Sequence, residues 1–196
     1  MAVACYCTSD KYRNATCFCQ CVGNIELTEI KEGDEESFVD CLTQEPPVQN
    51  YTMRIPYPFS MDDAIWWVQY NTADILDRGG LIYNFAIRGS SGKVMGVIGI
   101  NEINDGTAEI GYWLAPRFWG LQIMPRCIET FISIITSKKC EYGIRTLQAC
   151  ICDGNERSVR VVERCGFRFI EHLPDYYEKN GKLISAVRYQ LDLSSS

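Results

Sequence analysis

The stretch AEIGYWLAPRFWGLQIMPRCIE, from Ala108 to Glu129, constrains this chain more than any other. Residues 108–114 are apolar and aromatic, the composition of a buried strand. Ala115 and Pro116 end that strand, because proline cannot donate to a ladder. Residues 117–122 form a short loop. From Ile123 onward, Met124, Ile128, Phe131 and Ile135 recur at helical spacing. A strand-to-helix junction with a glycine in it aims backbone N–H groups and the positive end of a helix dipole at one point. That combination makes an anion site.

The remaining segments arrange themselves around this unit. Residues 24–30 alternate and predict a first strand. Residues 34–43 predict a short helix with Phe38, Val39 and Leu42 on its apolar side. The proline-rich stretch 44–60 reads as a loop, and long loops often carry function. Ser60 caps a second helix with Asp62 and Asp63 in its first turn. Ala64, Ile65, Trp67, Val68, Ile75 and Leu76 supply its buried stripe, and Gly79-Gly80 ends it. A meander of strands follows at 81–88, 93–103 and 107–114. Gly96 and Gly99 mark expected bulges, and Asn104-Asp105-Gly106 is a hairpin signal. After the helix, which runs to about residue 138, residues 145–152 alternate as a strand. Asp153 or Asn155 then caps a short helix ending at Gly166. Residues 167–171 predict a strand and 173–179 a loop holding Tyr176 and Tyr177. Asn180-Gly181 turns the chain into a last strand at 183–191. The order β-α-α-β-β-β-α-β-α-β-β predicts an α/β (α+β) fold, with a mixed, mostly antiparallel central sheet and helices on both faces.

At 196 residues the chain fits a single domain over 23–193, preceded by a cysteine-rich tail, 1–22, expected to be loose. The net charge of -6 argues against nucleic acid as a partner. No apolar run approaches the roughly 20 residues of a membrane span, and the first residues lack the form of a secretory signal. Five of the eleven cysteines crowd the tail: Cys5, Cys7, Cys17, Cys19 and Cys21. Their C-x-C spacing differs from the C-x2-C of structural zinc sites, and the one histidine, His172, is distant. The expectation is no metal, with a zinc-binding tail as the alternative. The other cysteines sit mostly in apolar segments, as buried thiols do, which points to a reducing, cytoplasmic chain. Cys150 and Cys152 share one sheet face, but a nucleophilic cysteine wants a nearby histidine.

Three patches carry a family resemblance. The first is Ile55-Pro56-Tyr57-Pro58-Phe59 followed by Asp62-Asp63-Ala64 and Trp66-Trp67. The second runs from Glu109-Ile110-Gly111-Tyr112-Trp113-Leu114 through Trp119-Gly120 to Ile123-Met124. The third is Asn155, Ser158 and Val162-Glu163-Arg164-Cys165-Gly166-Phe167. In this order they resemble the GNAT superfamily of N-acetyltransferases, and within it the branch that acetylates ribosomal-protein N-termini. The likeness covers about residues 24–193.

The resemblance implies a GNAT-like acyl-CoA N-acyltransferase fold, acetyl-CoA as co-substrate and direct attack by an amine. The acceptor would be a peptide N-terminus or a small molecule, and the enzyme a monomer or homodimer. It implies a pyrophosphate cradle built by Trp119, Gly120, Leu121, Gln122, Ile123 and Met124, beside Trp113. It implies a bulged strand that frees the Leu114 N–H for the thioester oxygen. Ser158, with Asn155, matches the hydroxyl that serves the leaving thiolate; Tyr176 and Tyr177 are rivals. Glu109, in an otherwise apolar run and so partly desolvated, is the base expected to take the acceptor's proton. Tyr57, Trp67 and Tyr112 would line the acceptor side, with Trp66–Trp67 half core and half wall. Bland readings stand beside these: Glu109 as a strand-edge carboxylate, Ser158 bonded only to backbone, Asn155 as a helix cap. Two positions depart from the family pattern. Gln122 stands where glycine is usual, and Pro125 removes one N–H from the helix's first turn. A degenerate member that keeps the fold as a binding module is the alternative these departures raise.

Overall fold

The computed structural model describes residues 14–19, 23–77, 81–137 and 142–193. Five strands come first in the sheet: β1 (Asn14–Cys19), β2 (Gly23–Glu29), β3 (Asn84–Arg88), β4 (Val94–Asn104) and β5 (Thr107–Leu114). Each is antiparallel to the next. β6 (Thr146–Cys152) then runs parallel to β5. β7 (Arg168–Lys179) and β8 (Lys182–Asp192) form a hairpin whose β8 lies against β6. The order across the sheet is β1-β2-β3-β4-β5-β6-β8-β7. The Asn104–Gly106 signal holds: Asp105 (φ 46) and Gly106 (φ 74) both take the left-handed conformation of a tight hairpin.

Two cores sandwich the sheet because side chains alternate along each strand. In β3, Phe85 and Ile87 pack toward α3 (Ile123–Ser137) and α4 (Glu156–Arg164), whereas Ala86 packs toward α1 (Glu35–Leu42) and α2 (Met61–Asp77). The α3 stripe read from sequence is fully formed: Met124, Ile128, Phe131 and Ile135 are buried, as are Ile123 and Cys127. Each large apolar side chain removed from water this way contributes about 1.5–3 kcal/mol. Ser60 caps α2 reciprocally. Its hydroxyl and amide both donate to Asp63 Oδ2 (2.6 and 2.8 Å), and its oxygen accepts the Asp63 N–H at 3.2 Å.

Several elements differ from expectation. Residues 14–19, expected within a loose tail, form an edge strand; it is defined by its main-chain ladder to β2, which apolar periodicity does not announce. The remaining tail residues, and with them the zinc alternative, lie outside the described residues, as do Gly79, Gly80 and the side chain of Leu76. The bulges in β4 fall at Met95 and Asn101, where the registers shift, and not at Gly96 or Gly99. Those two glycines answer crowding: a Cβ on Gly96 would sit 2.3 Å from the Trp113 carbonyl oxygen, and one on Gly99 2.1 Å from Asn84 Oδ1. The predicted loop at 173–179 is the second half of β7, interrupted by a bulge around Asp175 (φ 51). Ile65 is exposed, whereas Asn71, outside the expected stripe, is buried and accepts from Asn84 Nδ2 at 2.9 Å.

A buried cation that no local pattern announces ties the first half of the sheet to α1. All five N–H donors of the Arg88 guanidinium are used. They reach Asp34 Oδ1 and Oδ2 (2.7 and 2.6 Å), Thr28 Oγ1 (2.6 Å) and the carbonyls of Gly92 and Glu29 (3.0 and 3.1 Å). Arg88 is 5% exposed and Asp34 4%. Removing one partner strands the other's charge in a dry site, so Asp34→Ala should cost about 3–5 kcal/mol in urea unfolding. The double change Asp34→Leu, Arg88→Met should cost less than Asp34→Ala alone, because no unpaired charge remains.

Candidate active site

β5 and β6 pair only over Thr107–Thr146, Ala108–Leu147 and Glu109–Gln148. The Gly106 carbonyl pins the start, accepting from the amides of Arg145 (2.7 Å) and Thr146 (3.1 Å). Beyond Glu109 the strands part: β5 stays with β4 to Leu114, and β6 stays with β8 to Cys152. The opening is part of a cleft of about 1390 Å³. It is lined by Glu109, Tyr112, Trp113, Leu114, Trp119, Gly120, Gln122, Ile123, Met124, Asn155, Ser158 and Trp67. Two of the expected site residues do not line it: Leu121 packs against the α3 core, and Tyr57 is 66% exposed on the outer loop.

Ladder phase decides which backbone groups face the gap. The Ala115 N–H donates to the Met95 carbonyl (2.9 Å). Alternation then turns the amides of Gly111 and Trp113 toward β4, and those of Tyr112 and Leu114 toward the gap. The Leu114 carbonyl, which faces the same way, accepts the Trp119 indole N–H at 2.6 Å. No bulge on β5 is needed to free the Leu114 amide; the register shift lies on β4, and departure of β6 leaves that amide unopposed.

Side-chain parity splits the lining into two halves. Ala108, Ile110, Tyr112 and Leu114 point to the α3/α4 face, and Glu109 and Trp113 to the α1/α2 face. Tyr112, expected beside Trp67, is therefore on the opposite face of the strand from it. Its hydroxyl donates to the Ser158 carbonyl (3.2 Å) as a strut between β5 and α4. Burial pushes its pKa well above the ordinary tyrosine value.

On the α3/α4 side, Gly120 (φ 80) and Gln122 (φ 58) both adopt left-handed backbone, and α3 starts at Ile123. A Cβ on Gly120 would meet open space. Gln122 thus takes the conformation glycine would, and it is an exposed residue that lines the cleft. The Ile123 and Met124 amides, in the first turn of a 15-residue helix, have no intrahelical acceptor, and Pro125 has no N–H to offer. Across from them stands α4. Asn155 caps it, accepting the Ser158 N–H (3.3 Å), while Asn155 Nδ2 donates to Ser158 Oγ (3.1 Å). With that oxygen accepting, the Ser158 O–H is left to donate elsewhere. Arg157, Arg160 and Arg164 also line the cleft, and Arg157 lies 4.7 Å over the Trp119 ring. These arginines escaped sequence reading, since the charged face of a helix is ordinarily just a solvated one.

On the α1/α2 side, Glu109 is half-buried and receives weak hydrogen bonds from Asn101 Nδ2 (3.3 Å) and Gln148 Nε2 (3.4 Å). Tyr177 donates to the Cys150 carbonyl (3.3 Å), and Tyr176 OH lies 3.9 Å from Cys150 Sγ. Burial, followed by the charge of Glu109, raises the Tyr177 pKa. Burial raises Cys150, Cys152 and Tyr176 also. All four stay protonated at neutral pH, which suits neither a thiolate nucleophile nor a phenolate base. His172 is paired with Asp153 at 2.9 Å. Lys179, at the end of β7, donates to the carbonyls of Gln49 and Thr52 (2.7 Å to the latter) and clasps the 44–60 loop over this half. Burial holds its ammonium below the usual lysine value.

The acetyltransferase (GNAT) domain model matches residues 24–168. The chain belongs to the GNAT acetyltransferase family. A Bacillus subtilis protein named as a ribosomal N-acetyltransferase, YdaF, is 30% identical over 128 residues, which are 64% of each chain. Solved structures of acetyltransferases share the fold. The RimL ribosomal L7/L12 α-N-protein acetyltransferase, in complex with coenzyme A, superposes with TM-score 0.75 at 21% identity, over 88% of this chain and 96% of that one. The microcin C7 self-immunity acetyltransferase MccE, in complex with acetyl-CoA and AMP, gives 0.74 at 21% identity, over 86% and 92%. As a GNAT member the chain shows the expected mixed sheet with helices on both faces, extended by β1 and divided at β5–β6.

The raised tyrosines give this GNAT domain an alkaline signature. Unfolded tyrosine ionises near pH 10, whereas folded Tyr112 and Tyr177 hold their protons to higher pH. Their contribution is complete below about pH 10 and falls as pH rises from there toward the folded values, by up to about 1.4 kcal/mol per unit for each. Urea unfolding at pH 9 to 11 should show this loss, and Tyr112→Phe should make it shallower. At pH 7 the same variant should lose about 0.5–1.5 kcal/mol with its hydrogen bond.

Proposed function

We propose that this chain is an acetyl-CoA-dependent N-acetyltransferase acting by direct attack of a primary amine, of a protein N-terminus or a small molecule. The observation that carries the reading is the convergence of an unopposed strand amide, a helix N-terminus and a half-buried carboxylate on the β5–β6 opening. The parts fit the co-substrate. Gly120, Gln122 and the first-turn amides of α3 suit a pyrophosphate, with Arg157, Arg160 and Arg164 adding positive charge beside it. When bound, the thioester supplies an activated acetyl group.

Each protein group then has one task. The Leu114 N–H, aimed into the gap, donates to oxygen as negative charge grows there, worth a few kcal/mol in a site closed to water. Glu109 takes the proton from the acceptor ammonium, directly or through one water, held by Asn101 and Gln148. Ser158, whose oxygen is occupied by Asn155 Nδ2, donates its O–H to the leaving sulfur. Tyr112 sets the distance between β5 and α4, and so between the Leu114 amide and Ser158. The lapsed-enzyme alternative draws on Gln122, whose glycine-like φ keeps the loop's course. If wild type fails to bind acetyl-CoA and Gln122→Gly restores binding, that alternative stands instead.

Titration calorimetry with acetyl-CoA tests the co-substrate, and absence of heat up to millimolar ligand would refute it. Glu109→Gln keeps size and hydrogen bonding but not basicity. We expect kcat/KM to fall by about 10²–10⁴-fold at pH 7. Acetyl-CoA affinity should stay within about threefold, and high pH should partly rescue turnover, as more acceptor is then neutral. Near-normal turnover at pH 7 would remove Glu109 from the mechanism.

A further inference from the structure

The α1/α2 half of the cleft holds a surface that acetyl transfer by itself does not require. Asp63, the adjacent pair Trp66–Trp67, Tyr70 and Asp74 recur at steps of three or four residues on α2, and all five line the cleft. Such spacing puts them on one helix face, a stripe about 16 Å long at 1.5 Å per residue. Tyr70 stacks with both tryptophans. Trp66 and Tyr70 are 5.4 Å apart at 18°, and Trp67 and Tyr70 are 5.8 Å apart at 14°. Trp66 remains 61% exposed and Tyr70 44%. Exposed aromatic area of this size in a concave wall marks a binding surface more often than a packing accident.

Charge says what the surface would hold. Among the described residues, the lining on this side holds three carboxylates, Asp63, Asp74 and Glu109, and one cation, Arg54. On the α3/α4 side it has Arg157, Arg160 and Arg164 against Glu163. The cleft is therefore polarised, anionic toward α2 and cationic toward α4, and its walls concentrate that field. Aromatic faces attract cations further, and an arginine or ammonium over tryptophan is the favoured case.

We propose that the α2 stripe selects acceptors carrying a second positive charge beyond the reacting amine. That charge rests against Trp66 and Tyr70 within the field of Asp63 and Asp74. A stripe of 16 Å matches an extended polyamine or about five residues of extended peptide, so the shared chemistry is an amine with a neighbouring cation. This rests on the proposed N-acetyltransfer and narrows its substrate class.

The test is thiol release from acetyl-CoA with four acceptors: spermidine, and N-terminal peptides differing only in Lys, Ser or Glu at the second position. At about 50 mM salt the lysine peptide should exceed the glutamate peptide by at least tenfold in kcat/KM, and 500 mM salt should shrink the gap. Trp66→Ala should lower kcat/KM for the lysine peptide about two- to fivefold more than for the serine peptide. Asp74→Asn should reduce the lysine preference about threefold. Spermidine surpassing the lysine peptide would support a small polycation as the source, and the reverse a protein N-terminus. Equal use of lysine and glutamate peptides, or equal loss on all acceptors in Trp66→Ala, would overturn the selectivity and leave acetyl transfer intact. Turnover of no amine at all would overturn both.

Discussion

Everything at the site depends on two neighbouring strands staying paired for only three residues. β5 and β6 start as ordinary parallel partners, then each keeps its other neighbour and abandons this one. Main-chain groups on an abandoned strand edge must find other partners or serve a ligand. The Leu114 carbonyl takes the Trp119 indole, and the Leu114 amide is left toward the opening. The same divergence makes room for the α3 N-terminus on one side of β5 and the Glu109 carboxylate on the other. Tyr112 holds the gap at fixed width by reaching across to α4.

Because β5 alternates, one strand serves both halves of the chemistry without mixing them. Even-numbered residues look toward α3 and α4, where charge is positive; odd-numbered ones look toward α2, where it is negative. The anionic co-substrate and the cationic acceptor of the proposed reaction would therefore approach from opposite faces of the strand that carries the oxyanion donor. The frame behind this is stiff in one place above others. The Arg88–Asp34 network is buried and complete, whereas the Arg117–Asp40 and Arg160–Glu156 pairs are exposed and add little. The Lys179 clasp, by contrast, ties the 44–60 loop to a distant hairpin through a single ammonium.

Much of this was legible in the chain itself. The run 108–129 announced strand, loop and helix because each carries its own periodicity and its own terminators. Asn104-Asp105-Gly106, the Ser60 cap and the α3 stripe are likewise local devices, written in a few adjacent residues. Gln122 was recognisable as an oddity only against the family pattern, in which glycine is usual at that position. Its left-handed φ is the conformation glycine would take there.

What sequence could not supply were relations between residues far apart. Asp34 and Arg88 are separated by 54 positions, and nothing local marks them as a buried pair. β1 is held by its ladder and β7 spans a bulge, and neither leaves an apolar rhythm to read. The side on which Tyr112 falls, the unopposed state of the Leu114 amide and the cleft-facing arginines of α4 all depend on where β6 departs from β5. Sequence determined most of the elements and the family, because periodicity, capping and turn chemistry are local. Only the tertiary structure decided which backbone groups face the gap and which charges share a wall, because those follow from ladder phase and strand divergence.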